Sequence, residues 1–181
     1  LPNSYLVRES DIAGLKSALL TRDGVESAQT STALTSTTRQ KQHTKVGAHG
    51  MGGVGKTTIA VALVNDGQVL ASFEKIVWVS VGQEPDIRTL QDSIHHQLTG
   101  QHFPDTISTN SDASTALQEA AASKNVLLVL DDVWDAKHER PLNCIDPHNQ
   151  SRLLVTTRIR GLLKNSVELE MGLLSPEDAL K

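Results

Sequence analysis

The stretch Gly50-Met51-Gly52-Gly53-Val54-Gly55-Lys56-Thr57-Thr58 decides the fold. It satisfies the pattern G-x-x-x-x-G-K-[ST] between an extended run and a helical one, the setting in which such a loop cradles phosphate. Each residue type answers a physical need. Glycines let successive backbone N–H groups curl inward around an anion, where side chains would obstruct them. Lys56 offers a compact charge to β- and γ-phosphates, and Thr57 offers a hydroxyl to Mg²⁺. Thr58-Ile59-Ala60-Val61-Ala62-Leu63-Val64 opens a helix whose N-terminal dipole favours the same anion. All nine residues of the loop are candidates for cofactor contact. Gly50-x-Gly52-x-x-Gly55 also fits a dinucleotide fingerprint, but that site wants an acid at the end of the second strand. Here that strand, Ile76-Val77-Trp78-Val79-Ser80-Val81, ends in Gly82-Gln83, and Lys56-Thr57 would be left without a role.

Outward from the loop, strands and helices alternate. The first strand is Lys45–His49 and the second Lys75–Val81. Asp86 caps a helix with Ile87, Leu90, Ile94 and Leu98 on one face. An Ala-rich helix opened by Asp112 covers Ser114–Ala122. The third strand, Val126–Leu130, is a continuous apolar run of the kind buried on both faces of a parallel sheet. The fourth is Leu153–Val155 and the fifth Val167–Met171. Ser175-Pro176-Glu177-Asp178 starts a further helix. Upstream, Ser10-Asp11 reads as a cap for a short helix carrying Ile12, Leu15 and Leu19. Between that helix and the first strand, Ser and Thr fill ten of the 24 positions from 21 to 44, which reads as a mobile linker. The expected fold class is three-layer α/β, with a five-stranded parallel sheet and helices on both faces.

Two further elements complete a candidate site. Val126-Leu127-Leu128-Val129-Leu130-Asp131-Asp132 has the form of a Walker B strand, aiming Asp131 at the Mg²⁺ that Thr57 would hold. Asp132 is placed to orient or deprotonate an attacking water. Leu153-Leu154-Val155-Thr156-Thr157-Arg158 ends in an arginine able to reach a γ-phosphate and report its presence.

Composition bounds the alternatives. The 181 residues suit one domain with a real core, and a net charge of −4 gives no basic footprint for nucleic acid. The lone Cys144 excludes an internal disulfide framework and fits a reducing cytoplasm. No apolar run approaches a membrane span, and the seven histidines show no zinc spacing. Leu1 in place of Met, and a helix opening at the last residues, read as cuts in a longer chain.

The series Gly50–Thr58, Ile76-Val-Trp-Val-Ser80, Leu127-Leu-Val-Leu-Asp-Asp-Val-Trp134 and Thr156-Thr-Arg158 resembles the NB-ARC family. These are the signal-transduction ATPases of plant disease-resistance proteins and apoptotic activators, P-loop NTPases whose motifs occur here in family order. The resemblance implies an opening segment at 1–20, a nucleotide-binding domain at 45–172, and the start of a helical subdomain at 173–181. Leu6-Val7-Arg8 resembles the family's opening motif, which holds the adenine and a phosphate. It further implies Lys56 on the β- and γ-phosphates, Thr57 and Asp131 on Mg²⁺, and Arg158 as γ-phosphate sensor. Helical, winged-helix and repeat domains of a longer chain would be the partners, with an oligomer on activation. Two departures stand out. The first strand, Lys45-Val46-Gly47-Ala48-His49, is weakly apolar, which predicts a loosened site or a short strand; and the 21–44 linker is longer and more polar than the family needs.

The expectation is an ADP/ATP switch with slow hydrolysis. The rival is an ATPase or kinase with efficient turnover. No arginine-rich lid marks a kinase, and no Asn-Lys-x-Asp marks a GTPase.

Overall fold

The computed structural model describes residues 8–21, 44–146 and 148–172. Leu6, Val7, residues 22–43 of the linker and the segment 173–181 lie outside the described residues.

The apolar runs form five strands: β1 (Lys45–His49), β2 (Lys75–Gly82), β3 (Val126–Val133), β4 (Arg152–Thr157) and β5 (Val167–Glu170). Every pairing is parallel, and the order across the sheet is β2-β3-β4-β1-β5. Parallel strands need crossovers, and these are built by α2 (Lys56–Val64), α3 (Gly67–Ser72), α4 (Ile87–Thr99), α5 (Asn110–Ala121) and the short α6 (Glu139–Leu142). The N-terminal α1 (Glu9–Leu20) packs on the same face as α2 and α3, through Leu15, Leu19, Ile59, Leu63 and Val69. On the other face α4, α5 and α6 supply Ile94, Leu98, Leu117 and Leu142. Strand β3 feeds both cores, Leu127 and Val129 to the first, Leu128 and Leu130 to the second. That two-sided burial is why it reads as an unbroken apolar run.

Strand β1 is short but not loose. Its last four residues are buried, and it lies between β4 and β5. A Cβ added at Gly47 would sit 3.3 Å from Glu168 Cγ and 3.7 Å from Leu163 Cδ1, so a larger residue there would crowd β5. Small side chains fit this strand where a chain read in isolation would want Ile or Leu.

Several ends differ from expectation. Helix α1 starts at Glu9 without a side-chain cap from Ser10 or Asp11; Asp11 Oδ2 instead pairs with Arg8 Nε at 2.6 Å. Helix α5 starts at Asn110, before the expected Ser114, because Thr109 and Asp112 cap it reciprocally. Strand β3 runs on through Asp131 and Asp132 to Val133. Helix α3 and the turn-plus-helix over Ala136–Leu142 are short elements that the 3.6-residue periodicity does not resolve. Cys144 is buried in the second core, and burial pushes its thiol up to about 12, which leaves it unreactive. No helix among the described residues is long and apolar enough to cross a membrane.

Candidate nucleotide site

Strands β3, β4 and β1 are neighbours in the sheet, so the segments at their carboxyl ends converge, as ligand sites of open parallel sheets require. After β1 the chain turns sharply at Gly50. A Cβ there would lie 2.4 Å from the Met171 carbonyl oxygen, which only glycine avoids. Gly55, at φ 91°, is the N-cap of α2 in a left-handed conformation that favours glycine. No side chain caps α2.

Lys56 follows and is 8% exposed. Its ammonium donates to the carbonyls of Gly50 at 2.8 Å and Met51 at 2.7 Å, folding the loop around it. Burial, then the charge of Arg158, lowers its pKa; Asp132 and Asp131 oppose them. Thr57 Oγ1 donates to both Asp131 oxygens, at 3.0 and 3.1 Å, which ties the loop to β3 across 74 residues of sequence.

The two acids occupy a register shift. Leu130 pairs with Val155 and Val133 with Thr157, so β3 holds one residue more than β4 over this stretch. That is a β-bulge, a device that re-aims side chains beside functional sites. Asp132 takes φ 55°, the left-handed region. Thr156 stands opposite the bulge and fastens it: its hydroxyl donates to Asp131 Oδ1 at 2.5 Å and accepts from the Asp132 N–H at 2.8 Å. Arg158, just beyond β4, lies 3.6 Å from Asp132 Oδ1 by its Nε, and its guanidinium carbon is 4.6 Å from the Trp134 ring centroid.

These groups border an open cleft of about 540 Å³. Of the residues expected from sequence, Gly52, Gly53, Gly55, Lys56, Thr57, Thr58, Asp131, Asp132 and Arg158 line it. Gly50, Met51 and Val54 belong to the loop without lining the cleft. Met51 is 68% exposed, and Val54 is packed into the α1–α2 core. Arg8 braces the loop from outside, its Nη1 donating to the carbonyls of Val54 at 3.0 Å and Gly172 at 2.9 Å. Leu6 and Val7 lie outside the described residues. Sequence reading missed Ser80, Val81, Gly82 and Thr156 in the lining. The signal for the first three was available, since they form the carboxyl end of β2.

The donor set fits Mg²⁺. This ion keeps several waters and takes one or two carboxylates together with substrate phosphates. A hydroxyl and a carboxylate, Thr57 and Asp131, face each other beside a lysine and a cleft of nucleotide size. Among the described residues no three His, Cys, Asp or Glu side chains converge on a metal site of the all-protein kind.

A glycine loop opening a helix, a carboxylate bonded to the loop threonine, and five parallel strands define a P-loop nucleoside-triphosphatase fold. The sequence pattern of the NB-ARC domain matches residues 28–181, and the chain belongs to the NB-ARC family. It is 33% identical over 141 residues to the Arabidopsis thaliana disease resistance protein SUMM2, covering 74% of this chain and 16% of that one. Disease resistance protein UNI, also from Arabidopsis thaliana, is 31% identical over 143 residues, covering 74% and 16%. The chain thus spans about a sixth of the length of the curated relatives it matches. Among solved structures, a chain of Drosophila ORC bound to GC-rich DNA and Cdc6 superposes with a TM-score of 0.52 at 14% identity, over 76% of this chain and 53% of that one. At that identity the match shows the fold.

Proposed function

We propose that this domain reads an adenine nucleotide as a molecular switch, ADP-bound at rest and ATP-bound when signalling, within a defence-type NB-ARC protein of the cytoplasm. The observation that carries the proposal is the clustering of Lys56, Asp131, Asp132 and Arg158 on one cleft. A site that only held a diphosphate would need the loop; an arginine beside it, at the end of β4, adds a group that can respond to a third phosphate.

The roles follow from chemistry. Backbone amides from Gly52 to Thr58 cradle the phosphate chain, and Lys56 exchanges its carbonyl partners for β- and γ-oxygens. Thr57 and Asp131 would hold Mg²⁺, whose chemistry there would be to neutralise phosphate charge. Asp132 orients water for slow hydrolysis. Arg158 reads the γ-phosphate. Leu6 and Val7 are proposed for the adenine, and Arg8 acts through the loop it braces. The disease-resistance names of the relatives support the signalling class, and their greater length supports further domains flanking this one; helical, winged-helix and repeat domains as intramolecular partners, and an oligomer on activation, belong to the same proposal.

Two states suffice for a switch when a neighbouring element favours only one of them. Titration of the intact protein with MgATP and MgADP tests the reading: Arg158→Ala should weaken ATP about tenfold to a hundredfold and ADP far less. Equal losses for both nucleotides refute the sensor role. Rapid multiple turnover of ATP would favour the turnover ATPase instead.

A further inference from the structure

We propose that Trp134 is a positioning residue for Arg158: its indole is a platform that holds the guanidinium against the cleft, so that discrimination between nucleoside tri- and diphosphates depends on a ring that does not itself line the site. The inference rests on the sensor reading of Arg158 given above.

Arginine carries large rotamer freedom, and the Arg158 side chain is 45% exposed. Something must hold it if it is to report one phosphate. The ion pair with Asp132 is loose: at 3.6 Å, Nε lies beyond ordinary hydrogen-bond distance from Oδ1. The loop leaves room for the guanidinium only because residue 52 is glycine, since a Cβ added there would sit 2.8 Å from Nη1 and 3.3 Å from Cζ. Trp134 provides the remaining hold, a flat surface 4.6 Å from Cζ to the ring centroid.

The backbone fixes this pairing. Thr157 Oγ1 donates to the Val133 carbonyl at 2.7 Å and accepts from the Ile159 N–H at 3.1 Å. One hydroxyl therefore ties the residue before Trp134 to the residues on both sides of Arg158. The ring and the guanidinium are held in mutual register by the ends of β3 and β4.

The indole is a poor choice for packing alone. Trp134 Nε1 is buried without a hydrogen-bond partner among the described residues, which costs free energy that phenylalanine would avoid. What tryptophan adds is the best aromatic face for a cation.

The test is a set of MgATP and MgADP affinities measured on the intact protein with Trp134→Ala, Trp134→Phe, Arg158→Ala and the double alanine variant. Trp134→Ala is expected to weaken ATP by roughly threefold to thirtyfold and to leave ADP within about twofold. Trp134→Phe should fall between wild type and alanine, while matching or exceeding the wild-type melting temperature. In the Arg158→Ala background, Trp134→Ala should cost ATP nothing further. Should the alanine variant fail to fold, the phenylalanine variant carries the same prediction at smaller size. Loss of selectivity in Arg158→Ala with none in either Trp134 variant overturns the platform role and leaves the sensor standing. No loss of selectivity in Arg158→Ala overturns the sensor and the platform with it.

Discussion

Helix α2 begins in the opposite way to α3, α4 and α5. Asp66 accepts from the N–H groups of Gln68 and Val69, Asp86 from that of Thr89, and Thr109 and Asp112 cap each other's backbone. Helix α2 opens at Gly55 with no side-chain cap, and its first turn lines the cleft. Every helix leaves orphan N–H groups at its start. Three helices of this domain answer some of them with a side chain, which serves stability; α1 and α6 lack such a cap as well, but among the described helices only α2 turns its uncapped start to the cleft, where an anion can take the free N–H groups. The same division appears along β3. The strand is regular and apolar to Leu130, then bulged and acidic where it meets the cleft.

Substitutions at the cleft and at the capped ends should have separable effects. Lys56→Ala acts at the binding end and should lower nucleotide affinity by at least about a hundredfold, since several charge-assisted bonds go together. A titration showing affinity within tenfold of wild type would place the phosphate elsewhere. Thr156→Val removes one partner of Asp131 and strands the Asp132 N–H, at a cost of about 1–3 kcal/mol in stability. It should also raise the Mg²⁺ concentration needed for nucleotide binding, whereas Thr156→Ser should recover both. An unchanged Mg²⁺ requirement would mean the bulge does not set the carboxylates. Thr109→Ala acts at a capped end, costing about 1 kcal/mol, or roughly 2–4 °C in Tm, with nucleotide affinity unaltered. If it changed affinity, the separation of stability caps from the binding end would fail.

The smallest effect concerns acid. The hydrogen bond from the Thr89 backbone, then that from the Thr89 hydroxyl, holds the Asp86 carboxyl below its usual value of 3.8. A depressed carboxylate stabilises the fold above its unfolded pKa, and that contribution is lost as pH falls through the folded one. Asp86→Ala should therefore flatten the fall in stability below about pH 4, read from thermal melts across pH. An acid limb identical to wild type would remove Asp86 from the set of caps that matter.

The cleft position of the loop, the β3 acids and Arg158 was legible in sequence because the glycine pattern marks the first and the other two follow apolar strands, at the carboxyl end of a parallel sheet. The bulge was not. An unbroken apolar run carries no mark of register, so the extra residue at Asp131–Asp132 and the place of Thr156 opposite it appear only with β4 alongside. The platform under Arg158 was hidden for the same reason, since Trp134 and Arg158 are 24 positions apart in the chain. Short elements such as α3, opened by Asp66, fall below the length at which periodicity speaks. Strand β1 looked weak from its composition, yet its small residues answer the approach of β5, a neighbour sequence alone does not show.

The central claim, that the uncapped start of α2 and its loop hold an adenine nucleotide, is tested most directly by identifying what co-purifies with the intact protein. About one ADP per wild-type chain is expected, and none with Lys56→Ala. A guanine nucleotide, or equal adenine nucleotide in both proteins, would contradict it.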